Sequence, residues 1–224
     1  SRFGRKRLVH PIFAEARLGV SGAAVPLRRL GVFGGSFDPP HRAHNALAHQ
    51  AVEQLRLDAL HIIPTGEAWH KSRVLTAASH RLAMAQLAFA DLPKVVVDDR
   101  ETRRLGPSYT VDTLTELAAE EPGVELFLII GEDQAKSLQS WHRWQAILQL
   151  AIICVAARAD SSGARGTFNA ELLAQTPFQV LNLPPMDVSA TEIRHRLANR
   201  QNVAPLVFEA VARYIAHHHL YQTA

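Results

Sequence analysis

The sequence contains a single cysteine among its 224 residues. Cys154 stands in the apolar run AIICVAA, so we interpret it as a buried core thiol. One cysteine cannot form a disulfide within the chain, which fits a reducing compartment. No apolar run reaches the ~20 residues that a transmembrane helix needs. We therefore expect a cytoplasmic protein without membrane contact.

The chain also lacks a strong excess of charge. Its 24 basic and 21 acidic residues leave a net charge of +3, and part of that excess lies in the first residues, SRFGRKR. An RNA-binding surface interleaves aromatic with basic side chains, and this segment offers only Phe3. The balance permits a phosphorylated small molecule as partner, and we expect no nucleic-acid partner.

Residues 1–29 have no clear hydrophobic period. Their one apolar stretch, LVHPIFAEARLGV, is interrupted by His, Pro, Glu and Arg, whereas a secretory signal needs an uninterrupted apolar segment. We expect this part to be a flexible N-terminal extension. Residues 30–224 are then expected to form one domain.

From Leu30 onward, apolar runs alternate with segments of helical period. The runs LGVFGG, LHIIPT, VVVDD, VELFLIIG, AIICVAA and FQVLNL predict strands. Helices are predicted from His41 to Arg56, over SHRLAMAQLAFA and TVDTLTELAAE, through WHRWQAILQL, and from Ser189 and about Pro205. Continuously apolar strands separated by helices indicate a parallel sheet covered on both faces. The predicted fold is a doubly wound α/β domain with a small helical C-terminal part.

The stretch GGSFDPPHRAH follows the first predicted strand. Gly34 and Gly35 allow a sharp turn and close approach to a ligand, and the Pro-Pro pair leads into a helix. A helix start favours anions, and His41 and His44 share one face of that helix. The sequence has neither a P-loop nor a G-x-G-x-x-G motif, and no third ligand accompanies the histidines for zinc. The stretch therefore predicts an anion site, although a glycine turn with two surface histidines is the simpler alternative.

The segment VSATEIRHRL has a second helix start. Ser189 and Glu192 suit a capping box, which explains those two residues by structure alone. It does not explain Arg194, whose side chain is expected to turn back toward the helix start. A helix start with an arginine indicates a phosphate site.

Other candidate ligand-binding residues follow strands, where doubly wound sheets bind ligands. Lys71 lies in the basic loop EAWHKSR, and Thr110 stands near a helix start, where a helix cap is the default interpretation. Gly131 and Asp133 follow a central strand, a common place for a carboxylate that binds a ribose. Trp141 can stack on a ring or fill the core.

Taken together, these segments resemble a known family. GGSFDPPHRAH is similar to the nucleotidyltransferase signature G-x-F-D-P-x-H-x-G-H, and VSATEIR to its partner I-S-S-T-x-I-R. PSYTVDTL, IIGEDQAKSLQSW and the closing YIAHHHLY narrow the resemblance to bacterial nicotinate-nucleotide adenylyltransferases, over about residues 30–222. The resemblance implies a Rossmann-like nucleotidyltransferase fold. It also implies transfer of AMP from ATP to nicotinate mononucleotide, with release of pyrophosphate.

The family resemblance also implies residue roles. His41, His44 and Arg194 would be catalytic, and Mg²⁺ would be carried by the ATP phosphates, without protein ligands. The residues implied to bind ATP are Gly34, Gly35, Ser36, Phe37, His41, His44, Gly131, Asp133, Ser189, Thr191 and Arg194. Those implied to bind nicotinate mononucleotide are Lys71, Thr110, Trp141 and His142.

The sequence departs from the family pattern at three positions. Ala43 replaces a usual Gly, Ala190 a frequent Ser, and Trp69 a frequent Pro. Two alternatives stay open at this point: a sister adenylyltransferase acting on nicotinamide mononucleotide or phosphopantetheine, and a non-catalytic nucleotide-binding module. A homo-oligomer is also an open possibility.

Overall fold

A six-stranded parallel sheet forms the centre of the protein. The computed structural model describes residues 17–18, 24–25, 27–66, 73–158 and 178–222. The strands are Arg29–Gly35 (β1), Ala59–Pro64 (β2), Val95–Val97 (β3), Glu125–Gly131 (β4), Ala151–Arg158 (β5) and Phe178–Leu183 (β6). Their spatial order is β3-β2-β1-β4-β5-β6, and every neighbouring pair is parallel. This order is that of a Rossmann fold, so the predicted fold class is confirmed.

Helices connect the strands and cover both faces of the sheet. They are Arg42–Gln54 (α1), Ala78–Ala88 (α2), Arg100–Arg103 (α3), Thr110–Glu120 (α4), Glu132–Ser137 (α5), Trp144–Leu150 (α6), Ala190–Ala198 (α7) and Glu209–His217 (α8). A short 3-10 turn, Leu138–Ser140, links α5 to the segment before α6.

Each face of the sheet has its own core. Alternate residues of β4 divide between them: Phe127 and Ile129 pack with α1, α2, α7 and α8, whereas Leu126, Leu128 and Ile130 pack with α4, α5 and α6. These strands read as unbroken apolar runs because both of their faces are buried. The chain leaves β1 on one face of the sheet and β4 on the other, so the topological switch point lies between these neighbouring strands.

Several predicted boundaries differ from the structure. The third strand covers only Val95–Val97 of VVVDD. The helix predicted through WHRWQAILQL begins at Trp144, because Arg143 has a left-handed backbone (φ 51°) that no helix interior accommodates. The last helix begins at Glu209 rather than near Pro205. The short helices α3 and α5 were not predicted.

The predicted N-terminal extension lies largely outside the described residues. Within it, Arg17–Leu18 pairs antiparallel with Ala24–Val25. In the described part of the chain, no helix is both long and apolar enough to cross a bilayer. Cys154 is buried in β5, as predicted, and burial raises the pKa of its thiol to about 12.

Candidate active site

The loop after β1 opens at the switch point, beside the end of β4. Gly34 and Gly35 belong to β1 itself, and the turn predicted there comes two residues later, where Phe37 has a left-handed backbone (φ 48°). A Cβ added to Gly34 would come no closer than 3.7 Å to a protein atom, the carbonyl oxygen of Ile63. Packing within the protein therefore leaves room for a side chain at Gly34.

The buried side chain of Phe37 anchors this loop to the core. Its ring is buried and meets Phe33, Phe89 and His44 edge-on, with a centroid distance of 4.9 Å to His44. A left-handed backbone costs a non-glycine residue roughly 1–2 kcal/mol and persists where the surroundings over-determine it. The buried ring supplies that constraint, and it places one edge against the imidazole of His44.

His41 and His44 form a stacked pair at the start of α1. Their ring centroids lie 3.7 Å apart, and His41 is only 4% exposed. The backbone N–H of His41 donates to Nδ1 of His44 over 3.1 Å. Because a backbone N–H can only donate, Nδ1 of His44 is the acceptor and the neutral ring carries its proton on Nε2. His44 is thereby prepared to donate a hydrogen bond from Nε2.

The start of α1 has fewer available amides than its sequence suggests. The His41 N–H is used by His44, and the Arg42 N–H donates to the carbonyl oxygen of Leu206 over 3.1 Å. An anion bound at this helix start would therefore be held by side chains more than by the first two backbone amides.

Asp38 is a fully buried carboxylate in the same loop, joined to Pro39 by a cis peptide bond. It accepts hydrogen bonds from Arg73 over 2.8 Å, from the Thr76 amide over 3.0 Å, and from the hydroxyl of Tyr221. Burial by itself raises the pKa of the Asp38 carboxyl, but the hydrogen bonds from Tyr221, Arg73 and Thr76 outweigh it and hold that pKa below its usual value. Asp38 is thus a charged centre that ties three segments together.

Arg81 of α2 holds the neighbouring loop ends. Its buried guanidinium donates to the carbonyl oxygens of Thr65 (2.7 Å), Thr76 (2.7 Å) and Ser36 (3.1 Å). Burial lowers its pKa. Arg81 stands in none of the motifs quoted above; Asp38 and Tyr221 stand within GGSFDPPHRAH and YIAHHHLY, but the sequence did not indicate that these two residues contact each other.

The second motif meets the first through Arg194. Ser189 caps α7 by accepting from the Glu192 N–H over 3.1 Å, which is half of the predicted capping box; the Glu192 carboxylate accepts from Arg196. Arg194 turns back toward the helix start, as predicted. It donates to the hydroxyl of Thr191 over 3.2 Å and to the carbonyl oxygen of Asp38 over 2.8 Å.

Among the residues that the structure describes, positive charge exceeds negative charge around Asp38. Three guanidinium groups, those of Arg73, Arg81 and Arg194, surround this one carboxylate. Burial and the nearby charge of Arg73 lower the pKa of Arg194, only partly offset by Asp38. An incoming anion would relieve this repulsion, which suits a site for phosphate groups.

The other predicted residues lie at the ends of α4, β4 and the 3-10 turn. Thr110 is the first residue of α4 and Tyr109 is its cap, so the default interpretation of Thr110 as the cap is wrong by one residue. The Tyr109 ring lies 4.3 Å from that of His142, which brings the α4 start beside Trp141 and His142. Trp141 is half-buried against the second core, and its indole N–H donates to Ser137 over 3.4 Å.

Gly131 ends β4 and caps α5, and Asp133 is exposed in the first turn of α5. Trp69 and Lys71 lie outside the described residues. Among the residues that the structure does describe, no group of three or more His, Cys, Asp or Glu side chains is placed to hold a metal ion.

Solved structures share this fold. A Plasmodium falciparum nicotinic acid mononucleotide adenylyltransferase complexed with NaAD superposes with a TM-score of 0.72 over 87% of this chain and 97% of that chain, at 18% identity. The same enzyme complexed with APC gives a TM-score of 0.71 at 19% identity, over 87% of this chain and 97% of that one. These identities support the fold alone.

Sequence relatives are much closer. A probable nicotinate-nucleotide adenylyltransferase of Albidiferax ferrireducens is 63% identical over 88% of this chain and 100% of its own length. A protein of the same name from Methylibium petroleiphilum is 44% identical over 88% of this chain and 94% of its own length. The cytidylyltransferase-like family model matches residues 32–196. The chain belongs to the nicotinate-nucleotide adenylyltransferase family of cytidylyltransferase-like proteins.

Proposed function

We propose that this protein transfers AMP from ATP to nicotinate mononucleotide, forming nicotinate adenine dinucleotide and pyrophosphate. The observation that carries the proposal is the meeting of the two motifs at Asp38, where Arg194 reaches the loop that holds His41 and His44. The family membership supports the same activity.

The phosphate of the mononucleotide attacks the α-phosphorus of ATP in line, and pyrophosphate leaves. Such a reaction needs positioned reactants and neutralised charge rather than a protein nucleophile. The Nε2–H of His44 donates to an oxygen of the transferring phosphoryl group, and its hydrogen bond strengthens as charge grows there. His41, stacked on His44, lies in position to bind the same phosphate chain.

The leaving pyrophosphate is held from the side of α7. Arg194 supplies a fixed positive charge, and Ser189 and Thr191 supply hydroxyl groups at the helix start. The Ser189 oxygen accepts from an amide, so its hydroxyl proton is available to a phosphate. Lys71, in the basic sequence EAWHKSR, is a further candidate for binding a substrate phosphate.

Adenosine occupies the end of the sheet beside β1 and β4. Asp133 binds the ribose, with Gly131 beside it. The backbone from Gly34 to Phe37 lies under the nucleotide, where the space beside Gly34 lets a ligand approach closely.

Nicotinate mononucleotide binds between the start of α4 and the Trp141–His142 turn. Thr110 lies at the positive end of α4, which suits the carboxylate of nicotinate. The indole of Trp141 stacks on the pyridine ring, and His142 borders the same pocket. The contact between Tyr109 and His142 supports this assignment, because it brings the two parts together.

Mg²⁺ is proposed to arrive on the ATP phosphates, since this ion keeps several waters and favours phosphate oxygens over a protein cage. It would neutralise phosphate charge during transfer. We also propose a cytoplasmic location.

The test is pyrophosphate release with ATP and Mg²⁺, measured in parallel with nicotinate mononucleotide, nicotinamide mononucleotide and phosphopantetheine. We expect a clear preference for the nicotinate acid. Preference for another acceptor would retain the histidine mechanism and discard the proposed pocket at Thr110 and Trp141. No release with any acceptor, from protein that binds ATP, would leave only a nucleotide-binding module.

A further inference from the structure

Tyr221 comes from the far end of the described chain and reaches the first motif. Its hydroxyl donates to the carboxylate of Asp38, 183 positions earlier in the sequence. The side chain of Thr76, which precedes α2, also lies beside this hydroxyl. The contact therefore joins the C-terminal segment to the loop that carries His41 and His44.

The backbone at Tyr221 is itself unusual. Its φ of 63° is left-handed, a conformation that disfavours side chains larger than glycine. Such residues persist where their surroundings over-determine them. Leu220 and Tyr221 pack against the core formed by α1, α2, α7 and α8, and the phenol points inward to Asp38. This packing holds the C-terminal segment in a position where the Tyr221 hydroxyl reaches Asp38.

Asp38, which accepts a hydrogen bond from the Tyr221 hydroxyl, also accepts hydrogen bonds from two arginines. Its carboxylate accepts from Arg73, and its backbone carbonyl accepts from Arg194. Within the described part of the chain, the ionisable groups around it are Arg73 from the loop before α2, Arg81 from α2, Arg194 from α7 and Tyr221 from the C-terminal segment, with His41 and His44 following in its own loop. Asp38 is the only carboxylate among these groups.

We propose that Tyr221 is a positioning residue for adenylyl transfer, which acts through the buried Asp38 carboxylate to hold Arg73 and Arg194 against the phosphates of ATP. The proposal rests on the proposed function of the site and adds Arg73 to its phosphate-binding groups. It concerns the nucleotide side alone, because Tyr221 contacts neither α4 nor the Trp141–His142 turn in any hydrogen bond described for it.

The test compares Tyr221→Phe with Tyr214→Phe. Both changes remove one phenolic hydroxyl from the C-terminal segment, but that of Tyr214 is hydrogen-bonded to His80 over 2.8 Å rather than to Asp38. For Tyr221→Phe we expect kcat/KM for ATP to fall about tenfold, which corresponds to about 1.4 kcal/mol of transition-state stabilisation. The KM for nicotinate mononucleotide should stay unchanged, and Tyr214→Phe should behave as wild type.

A pH profile separates positioning from a purely structural role. The pKa of Asp38 is held low in the folded protein, so its charge is lost only as the pH falls through that value. Tyr221→Phe removes a lowering hydrogen bond while burial, which raises the pKa, remains. The acid limb of kcat/KM for ATP should therefore move to higher pH in Tyr221→Phe and not in Tyr214→Phe.

Two results would overturn the proposal: an unmoved acid limb with activity lost only in proportion to thermal stability, or equal losses in both variants. In an Asp38→Asn background, Tyr221→Phe should cause no further loss of kcat/KM for ATP, and fully additive losses would also contradict the proposal.

Titration with ATP alone, without acceptor, separates this inference from the proposed function. If the wild type uses no nicotinate mononucleotide, weaker ATP binding by Tyr221→Phe than by Tyr214→Phe still supports the inference, and equal binding refutes it.

Discussion

Replacing His44 by Asn should separate its two hydrogen-bonding nitrogens. Nδ1 accepts a hydrogen bond from the His41 N–H over 3.1 Å and so helps to cap α1. Nε2 carries the N–H that we propose donates a hydrogen bond to the transferring phosphoryl group. An Asn side chain places an acceptor near the position of Nδ1 and has nothing at Nε2. The variant should therefore keep the cap and lose the catalytic donor.

The expected magnitudes differ for the two functions. Loss of one donor to a charge that develops in the transition state lowers kcat by about 10²–10³, or roughly 2.7–4 kcal/mol. Loss of a helix cap lowers the free energy of unfolding by about 1 kcal/mol. His44→Asn should show the first loss alone, and His44→Ala should show both.

The assay is pyrophosphate release at saturating ATP and nicotinate mononucleotide, with urea unfolding of each variant beside it. Tyr214→Phe provides a control for a lost aromatic hydrogen bond away from the site. Near-normal turnover by a folded His44→Asn protein would refute the role of Nε2. Equal destabilisation of the Asn and Ala variants would refute the cap.

Three further predictions follow from contacts at and near the site. Gly34→Ala should fold normally, since the added Cβ would meet only ordinary contacts, but should raise KM for ATP in a steady-state titration; an unchanged KM would place the nucleotide elsewhere. Burial by itself raises the pKa of Asp98, but hydrogen bonds from His61 and Arg100 outweigh it and lower this pKa to about 2. The Asp98 carboxylate therefore stabilises the fold at pH values above its pKa in the unfolded chain, and it loses that effect as the pH falls toward 2. Asp98→Asn should therefore lower stability by about 1–2 kcal/mol at pH 7 and by less near pH 3 in urea titrations; the same loss at both pH values would contradict this. Phe37→Ala, which empties a buried ring position, should lower the free energy of unfolding by about 3–5 kcal/mol, and a loss below about 1 kcal/mol would show that the ring does not anchor the loop.

Much of the fold is predictable from the hydrophobic periodicity of the sequence alone. TVDTLTELAAE predicts a helix and the structure has α4 over the same residues, because its apolar positions recur on one face. The run VELFLIIG predicts a doubly buried strand, and β4 fulfils it. The short α3 and α5 are hidden from such a method because one or two turns contain too few residues to show a period.

Site residues could be predicted from the sequence only where they stand in a recognisable motif. The two histidines and Arg194 stand in motifs, and the structure brings them to one loop. Asp38 and Tyr221 also stand in motifs, but their contact joins positions 183 residues apart, which no local pattern shows, and Arg81 stands in no motif. The local sequence of Arg81 does not distinguish a buried arginine that donates to four carbonyl groups from one on a solvated helix face.

Incubation with Mg²⁺, nicotinate mononucleotide and ATP labelled on its α-phosphorus tests the central claim most directly. The account predicts label in nicotinate adenine dinucleotide, with one unlabelled pyrophosphate released for each dinucleotide formed. Label that accumulates in ADP or in free AMP, with no labelled dinucleotide, would contradict adenylyl transfer to this acceptor.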